Sequence, residues 1–376
     1  MRHRFGRRAA FATIAATLAL SAFVVAPVTA LGLEPGGAVY TLTNQADGNF
    51  VQVFARAGDG SLTPAGAFDT GGTGTGGGLG NQGAVVLQGH LLLAVSAGSG
   101  EVSSFQVSSN GLTLTLRDTE PSGGATPISV TASGKLVYVL NAGDAGDPGN
   151  ITGFRVGPRG TLIPIPGSTR RLSGDAVGPA QVQFALGGAV LVVTEKATNL
   201  IDTYTVGADG LATGPTTHAS NGATPFGFAV HGNKVFVSEA FGGAPEASAT
   251  SSYTVGGDGT LSLVSGSVAT TETAACWVVL SRGGKFAYVT NTGSNTISGY
   301  RVAADGSIAL LDADGVTATA DAGPIDAAVS RAGGFLYTLN AGAHTVSGFA
   351  IRGDGSVVPV PGATGLPAGA TGLAAL

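Results

Sequence analysis

The 376-residue chain contains one cysteine, one methionine and one tryptophan, and only 11% of its residues are charged. A lone Cys276 excludes an intrachain disulfide, so burial and strand pairing must hold the fold. No CxxC, HExxH, EF-hand loop or histidine pair at ligand spacing occurs, and neither a metal nor another cofactor is expected. The GxSxG elbow is missing too, which leaves a serine hydrolase of that design without its nucleophile. Long amphipathic helices are absent. Acidic residues outnumber basic ones by 23 to 18. That balance disfavours nucleic acid and anionic membrane surfaces as partners, since both need clustered Lys and Arg.

Glycine is abundant, at 63 residues, and it is placed periodically. An Asp/Asn/Arg-Gly turn recurs at Asp59-Gly60, Asn110-Gly111, Arg159-Gly160, Asp209-Gly210, Asp258-Gly259, Asp305-Gly306 and Asp354-Gly355. The spacing of roughly 45 to 50 residues belongs to propeller blades. Ahead of each turn runs an alternating strand, such as Ile297 to Val302 or Val346 to Ile351. Ahead of that lies a second, as in Phe286 to Asn291 and Phe335 to Asn340. Full units open with a further strand led by proline or small residues, as at Thr126-Pro127, Gly178-Pro179, Thr224-Pro225, Ala274-Ala275 and Gly323-Pro324. The pattern predicts an all-β, seven-bladed β-propeller of four-stranded antiparallel blades over residues 31–376, a single domain. The first unit lacks its first strand and the C-terminus carries a spare one over Ala370 to Leu376, so the C-terminal strand is expected to complete the first blade.

The N-terminus carries Arg2, Arg4, Arg7 and Arg8, then an apolar run from Ala9 to Ala26 and the small residues Val28-Thr29-Ala30. This reads as a secretory signal over residues 1–30, cleaved after Ala30, and predicts an extracellular protein. Arg7-Arg8 leaves twin-arginine export open. Cleavage removes four arginines and no acid, which takes the net charge from −5 to about −9. No second apolar span follows, so no membrane span is expected after cleavage. The mature protein is expected to be a monomer.

In a meander blade the first strand crosses the ring and the second returns. The start of one and the end of the other therefore share a face, and the long variable loops belong to it. Variable loops on a rigid ring are the usual carriers of function. The second strands end there in Asn44, Ser96, Asn141, Glu195, Glu239, Asn291 and Asn340. Asparagine at this position is expected to cap the turn. Glu195 and Glu239 break the rule. Either they are solvated turn residues, with Lys196 at hand as a partner, or two carboxylates face the central channel as an acid/base or cation site. A second ring, on the strand nearest the axis, includes Ser129, Gln181, Trp277 and Asp326. These either line a small-ligand pocket at the channel mouth or pack between blades. A Cys276/His344 nucleophile pair is geometrically conceivable, though a lone cysteine in an apolar strand is more often core.

Tyr288-Val289-Thr290-Asn291, with Thr296 to Tyr300 and Asp305-Gly306, resembles the YVTN-repeat propellers. The sevenfold layout is similar to the lactonase-type seven-bladed β-propellers, which include 6-phosphogluconolactonases and carboxymuconate cyclases. The resemblance covers the chain from Ala38 to Leu376 and implies a carboxylic ester hydrolase or muconate cyclase. It also implies a histidine-rich first-strand motif, an Asn-Glu pair and an arginine in the site. Here the first strands read Pro127-Ile128-Ser129 and Pro179-Ala180-Gln181, without histidine, and Arg170 and Arg171 lie in a crossing loop. Two readings follow. One is a secreted module that binds a small molecule or an envelope component through the loop face. The other is a lactonase or cyclase using Glu195 or Glu239 as acid/base, with Gln181, Asp326, Trp277 and Ser129 shaping the pocket.

Overall fold

A computed structural model describes residue 1 and residues 34–376; the expected signal segment falls almost wholly outside the described residues. Seven antiparallel sheets follow one another along the chain, each with four main strands in meander order. The blade 1 sheet is built from Gly37–Leu42, Phe50–Arg56 and Leu62–Asp69, and its innermost strand is the C-terminal Thr371–Ala375, paired with Gly37–Leu42. The expected closure is thus observed. Among the described residues no helix is long and apolar enough to cross a membrane.

The strand composition follows from position in the blade. Second strands such as Val190–Glu195, Phe286–Asn291 and Phe335–Asn340 are buried at every residue, because neighbouring blades cover both faces of the sheet. Outer strands such as Leu62–Asp69 are exposed over most of their length. Apolar side chains fill the space between successive blades, for instance Tyr138, Phe184 and Leu191 between blades 3 and 4, and Val39, Tyr337 and Leu373 between blades 7 and 1.

The glycine turns do more than reverse the chain. In Asp305-Gly306 the carboxylate accepts from Ser307 N at 2.9 Å and Ser307 Oγ at 2.8 Å, while Gly306 takes a φ of 95° that a β-carbon would disfavour. In the other six turns the carbonyl of the glycine accepts a hydroxyl from the preceding blade. The donors are Tyr40 to Gly111, Ser104 to Gly160, Tyr138 to Gly210, Thr203 to Gly259, Tyr288 to Gly355 and Tyr337 to Gly60, at 2.6 to 2.9 Å. The last of these crosses the seam where the ring closes.

Candidate functional site

The strand nearest the axis has no strand on its inner side, so its edge N–H groups need other acceptors. The ring of residues that includes Ser129, Gln181 and Asp326 supplies them. Ser129 Oγ accepts from Val182 N in the next blade at 3.2 Å. Gln181 spans to blade 5 with both ends of its amide, accepting from Phe228 N at 2.7 Å and donating to Phe228 O at 2.9 Å. Asp326 accepts from Leu373 N of blade 1 at 3.0 Å and from its own neighbour Ala327 N at 2.7 Å. It is 2% exposed, and burial pushes its pKa up against those two donors. These polar residues therefore sew the blades together.

Blades 5 and 6 depart from the scheme. Gly227 holds the equivalent place and has no side chain to offer. Gln82, from blade 2, reaches across the axis and serves Val278 instead, donating to its carbonyl at 2.9 Å and accepting from its N–H at 3.3 Å. Trp277 likewise turns to the axis, giving its indole N–H to Asn81 O at 2.5 Å and packing against Phe226 in a tilted arrangement with ring centroids 5.0 Å apart. Asn81 also bonds Ile128 O of blade 3 and accepts from Thr371 Oγ1 of blade 1 at 3.1 Å. Lys196 of blade 4 donates to Gly80 O with its ammonium 4.5 Å over the Phe226 ring.

Gly80-Asn81-Gln82 is thus a plug across the loop-face end of the channel. The glycine tract before it packs on blades 1 and 2, with Gly74 N donating to Gln45 O at 2.7 Å and Asn44 Nδ2 donating to Gly77 O at 2.7 Å. Beneath the plug lies a cavity of about 320 Å³ whose lining includes Gln82, Thr131, Gln181, Asp326 and Leu373. Others of its wall residues, among them Gln183, Val230, Leu280 and Val329, are partly exposed toward the opposite face. Trp277 and Ser129 are buried and lie outside that lining.

Glu195 and Glu239 are both fully buried, and neither lines the channel. The second strand stands one position out from the axis, so its last side chain meets its own blade and the adjacent crossing loop. Glu239 accepts from Gly222 N at 2.8 Å, Ser251 Oγ at 2.5 Å and Ser267 Oγ at 2.6 Å. Glu195 accepts from Ser173 N at 3.0 Å, Ser173 Oγ at 2.5 Å and Thr198 Oγ1 at 2.8 Å. Lys196 points the other way, to the plug. The asparagines at this ring position span the turn and reach on into the third strand: Asn291 donates to Thr296 at 3.1 Å and Ser298 at 2.8 Å, and Asn340 to Thr345 at 3.0 Å and Ser347 at 2.8 Å. Cys276 sits beside Thr292 and Lys196, and burial pushes its thiol up to about 11. His344 is exposed in its turn. Arg170 spends its guanidinium on the carbonyls of Ala212, Gly167 and Thr169.

Concave surface on the loop face lies off the axis. Two hollows of about 590 and 550 Å³ adjoin and share Asp144 and Asp147. One is walled by Ala97–Gly100 and the 121–126 crossing, the other by the 142–149 loop, Arg171, Asp175 and Ala176. Together they form a rim groove over blades 2 to 4. Asp147 is half-buried and accepts from Ala125 N at 2.9 Å.

Residues 258–363 match the family described as lactonase, 7-bladed beta-propeller. The fold is a seven-bladed propeller, and over these residues it is similar to the lactonase family. No curated protein matches it in sequence. Among solved structures it is similar to a candidate 6-phosphogluconolactonase of Bacteroides fragilis, with a TM-score of 0.69 and 16% identity over 92% of this chain and 99% of that one. The periplasmic gluconolactonase of Pseudomonas aeruginosa gives 0.65 and 15% over 89% and 98%. A Lactobacillus plantarum protein gives 0.70 and 17% over 90% and 98%. Identities this low establish the shared fold alone.

Sequence reasoning missed three residues of this propeller: Asn81 and Gln82, which build the plug, and Asp202. In the third strand, Ser103, Ser251, Ser298 and Ser347 hold one equivalent position, and blade 4 places Asp202 there. Glu195 and Asp202 are diagonal neighbours on one face of their strand pair. Asp202 is fully buried and neither of its oxygens has a hydrogen-bond donor. Burial first, and the charge of Glu195 second, push its pKa up to about 7.

Proposed function

We propose that this propeller is an exported binding module that takes a small molecule or an envelope component in the rim groove of its loop face, without turnover. The observation that carries the reading is the commitment of both loop-face glutamates. Each is fully buried and holds three donors of its own blade or crossing loop. An acid/base must reach the proton it moves, within hydrogen-bond distance of a bound substrate. The plug also closes the axial end of that face. The rim groove, by contrast, offers exposed Asp144, Asp175 and Arg171 amid glycine-rich backbone, groups suited to hydroxyl- or amine-bearing ligands.

The lactonase-family match favours a second reading, hydrolysis of a small lactone with a rearranged carboxylate site. One experiment separates the two. The purified protein is assayed on a panel of simple lactones beside a Glu195→Gln/Glu239→Gln variant, and screened for binding to envelope glycan fragments beside Arg171→Ala and Asp147→Ala. Binding lost in the groove variants without lactone turnover supports the module. Turnover that disappears in the glutamate variant overturns it.

A further inference from the structure

The carboxyl pair Glu195–Asp202 has no role in the groove itself, yet it lies directly behind one wall of it. Five blades place Ser or Thr at the Asp202 position, as Ser103, Thr152, Ser251, Ser298 and Ser347. In blades 6 and 7 the second strand offers Asn to that hydroxyl, and in blade 5 it offers Glu239 to Ser251. Blade 4 alone sets acid against acid. No cation compensates: among the described residues the one ion pair is Arg56–Glu34. Two buried carboxyls set diagonally on one face of a strand pair cannot both stay ionised without a large Coulomb cost. One proton held between them removes that cost and gives Asp202 a hydrogen bond to donate.

The groups around the pair are few. The second strand contributes Glu195, and the third strand contributes Tyr204, whose phenol burial and the two carboxylates push up. The outer strand contributes the Thr217 hydroxyl, and the crossing loop contributes the Ser173 backbone. Tyr204 also donates to Arg171 O at 3.0 Å. The crossing from Arg171 to Gly178 is therefore tied to this spot twice, through Tyr204 and through both donors of Ser173 on Glu195. Arg171, Asp175 and Ala176 of the same crossing wall the groove.

We propose that Glu195 and Asp202 form a proton-operated latch: with one proton between them the 171–178 crossing is docked, and losing that proton loosens the crossing and opens the groove wall. The latch concerns the free protein; only its effect on ligand rests on the binding reading above. The sign follows from linkage. A locally opened state returns Asp202 to ordinary carboxylate behaviour, so it holds fewer protons than the docked state. Opening therefore grows as pH rises from about 4 to about 7 and levels off above that.

The test is hydrogen exchange of the purified protein at pH 5 and pH 8, corrected for intrinsic rates, read on peptides covering 171–178 and 195–204. The expected result is an opening constant about tenfold or more larger at pH 8 for these peptides only. Asp202→Ser, which restores the residue of the other blades, should abolish the difference while Glu195 still holds Ser173. A pH-independent crossing in the native protein overturns the latch, as does a pH response that survives in Asp202→Ser. Stabilisation of the crossing by added calcium or magnesium at pH 8, absent in Asp202→Ser, overturns it in favour of a cation held between the carboxyls. Failure of the groove to bind any ligand leaves these readouts unaffected.

Discussion

Gly227 and Gln82 fit each other across the channel: a β-carbon on residue 227 would overlap Gln82 Oε1 and stand 2.7 Å from the carbonyl of Cys276. The glycine removes one inter-blade cap and at the same time makes room for its replacement. Gly227→Ala should therefore expel the Gln82 amide and leave Val278 without its acceptor. Overpacking and an unpaired buried N–H each cost roughly 1–3 kcal/mol, which thermal or urea melting resolves. In a Gln82→Ala background the plug amide is already gone, so the added cost of Gly227→Ala should shrink. Additive effects of the two substitutions would show that the residues are not coupled.

The hydroxyl bonds to the turn glycines give a second prediction. Tyr337 reaches Gly60 at 2.8 Å across the closing seam, and its phenol is fully buried. Tyr337→Phe keeps the ring packing and strands the Gly60 carbonyl. The loss should be about 1–2 kcal/mol, seen as a fall of a few degrees in Tm. Tyr138→Phe should cost more, because that hydroxyl also accepts from Ala212 N at 3.0 Å and so serves two partners. Equal melting of Tyr138→Phe and the native protein would show that these hydroxyl bonds add nothing to ring stability.

The ring itself was legible because its signals are local and repeated. Alternating strands and glycine turns each occur seven times, and the missing first strand of blade 1 has its counterpart after Ala370. The plug was not legible. It depends on which residues of different blades meet at the axis, and its only sequence trace is a pair of departures, Gly227 and Gln82, that compensate each other in separate blades. Glu195 did stand out as a break in the asparagine rule, but its direction could not be read from the rule. A side chain one strand out from the axis meets the crossing loop, whereas one on the inner strand meets the channel. Asp202 left a trace of the same kind in the third strand, where serine is the repeated residue.

Closure predicts the effect of trimming the C-terminus. Thr371–Ala375 is the inner strand of blade 1, Leu373 N is held by Asp326 Oδ2, and Leu376 N donates to Ala38 O at 2.8 Å. Arg56, paired with Glu34 at 3.2 Å, also donates to Leu376 O at 3.2 Å. Deleting residues 370–376 exposes the inner edge of Gly37–Leu42 and leaves Asp326 buried with one donor fewer. The ring should melt at least 10 °C lower, on the order of several kcal/mol for a chain of this size, or lose cooperativity. A truncated protein that melts like the native one would mean that the seam contributes nothing.

Lys196 offers a prediction in which pH enters through a base. Its ammonium is held between the Gly80 carbonyl and the Phe226 ring, with its neighbour Glu195 turned away to Ser173 and Thr198. Burial, opposed by the nearby Cys276, lowers its pKa to about 8. In the unfolded chain the amine keeps its ordinary value of about 10.4. The folded state therefore binds fewer protons between these values, and the charge on Lys196 costs stability below about pH 8, a cost that fades as pH rises toward 10. Competitive acylation across pH 6 to 10, resolved by peptide, should show Lys196 reacting with a midpoint near 8, against Lys135, Lys234 and Lys285 as internal references. Gln at position 196 can still donate to Gly80 without carrying charge, so Lys196→Gln should be at least as stable as the native protein at pH 7 and lose that advantage by pH 10. A Lys196 midpoint at 10 or above would show that its amine is solvated, and the plug would then be held by the Asn81 and Gln82 contacts alone.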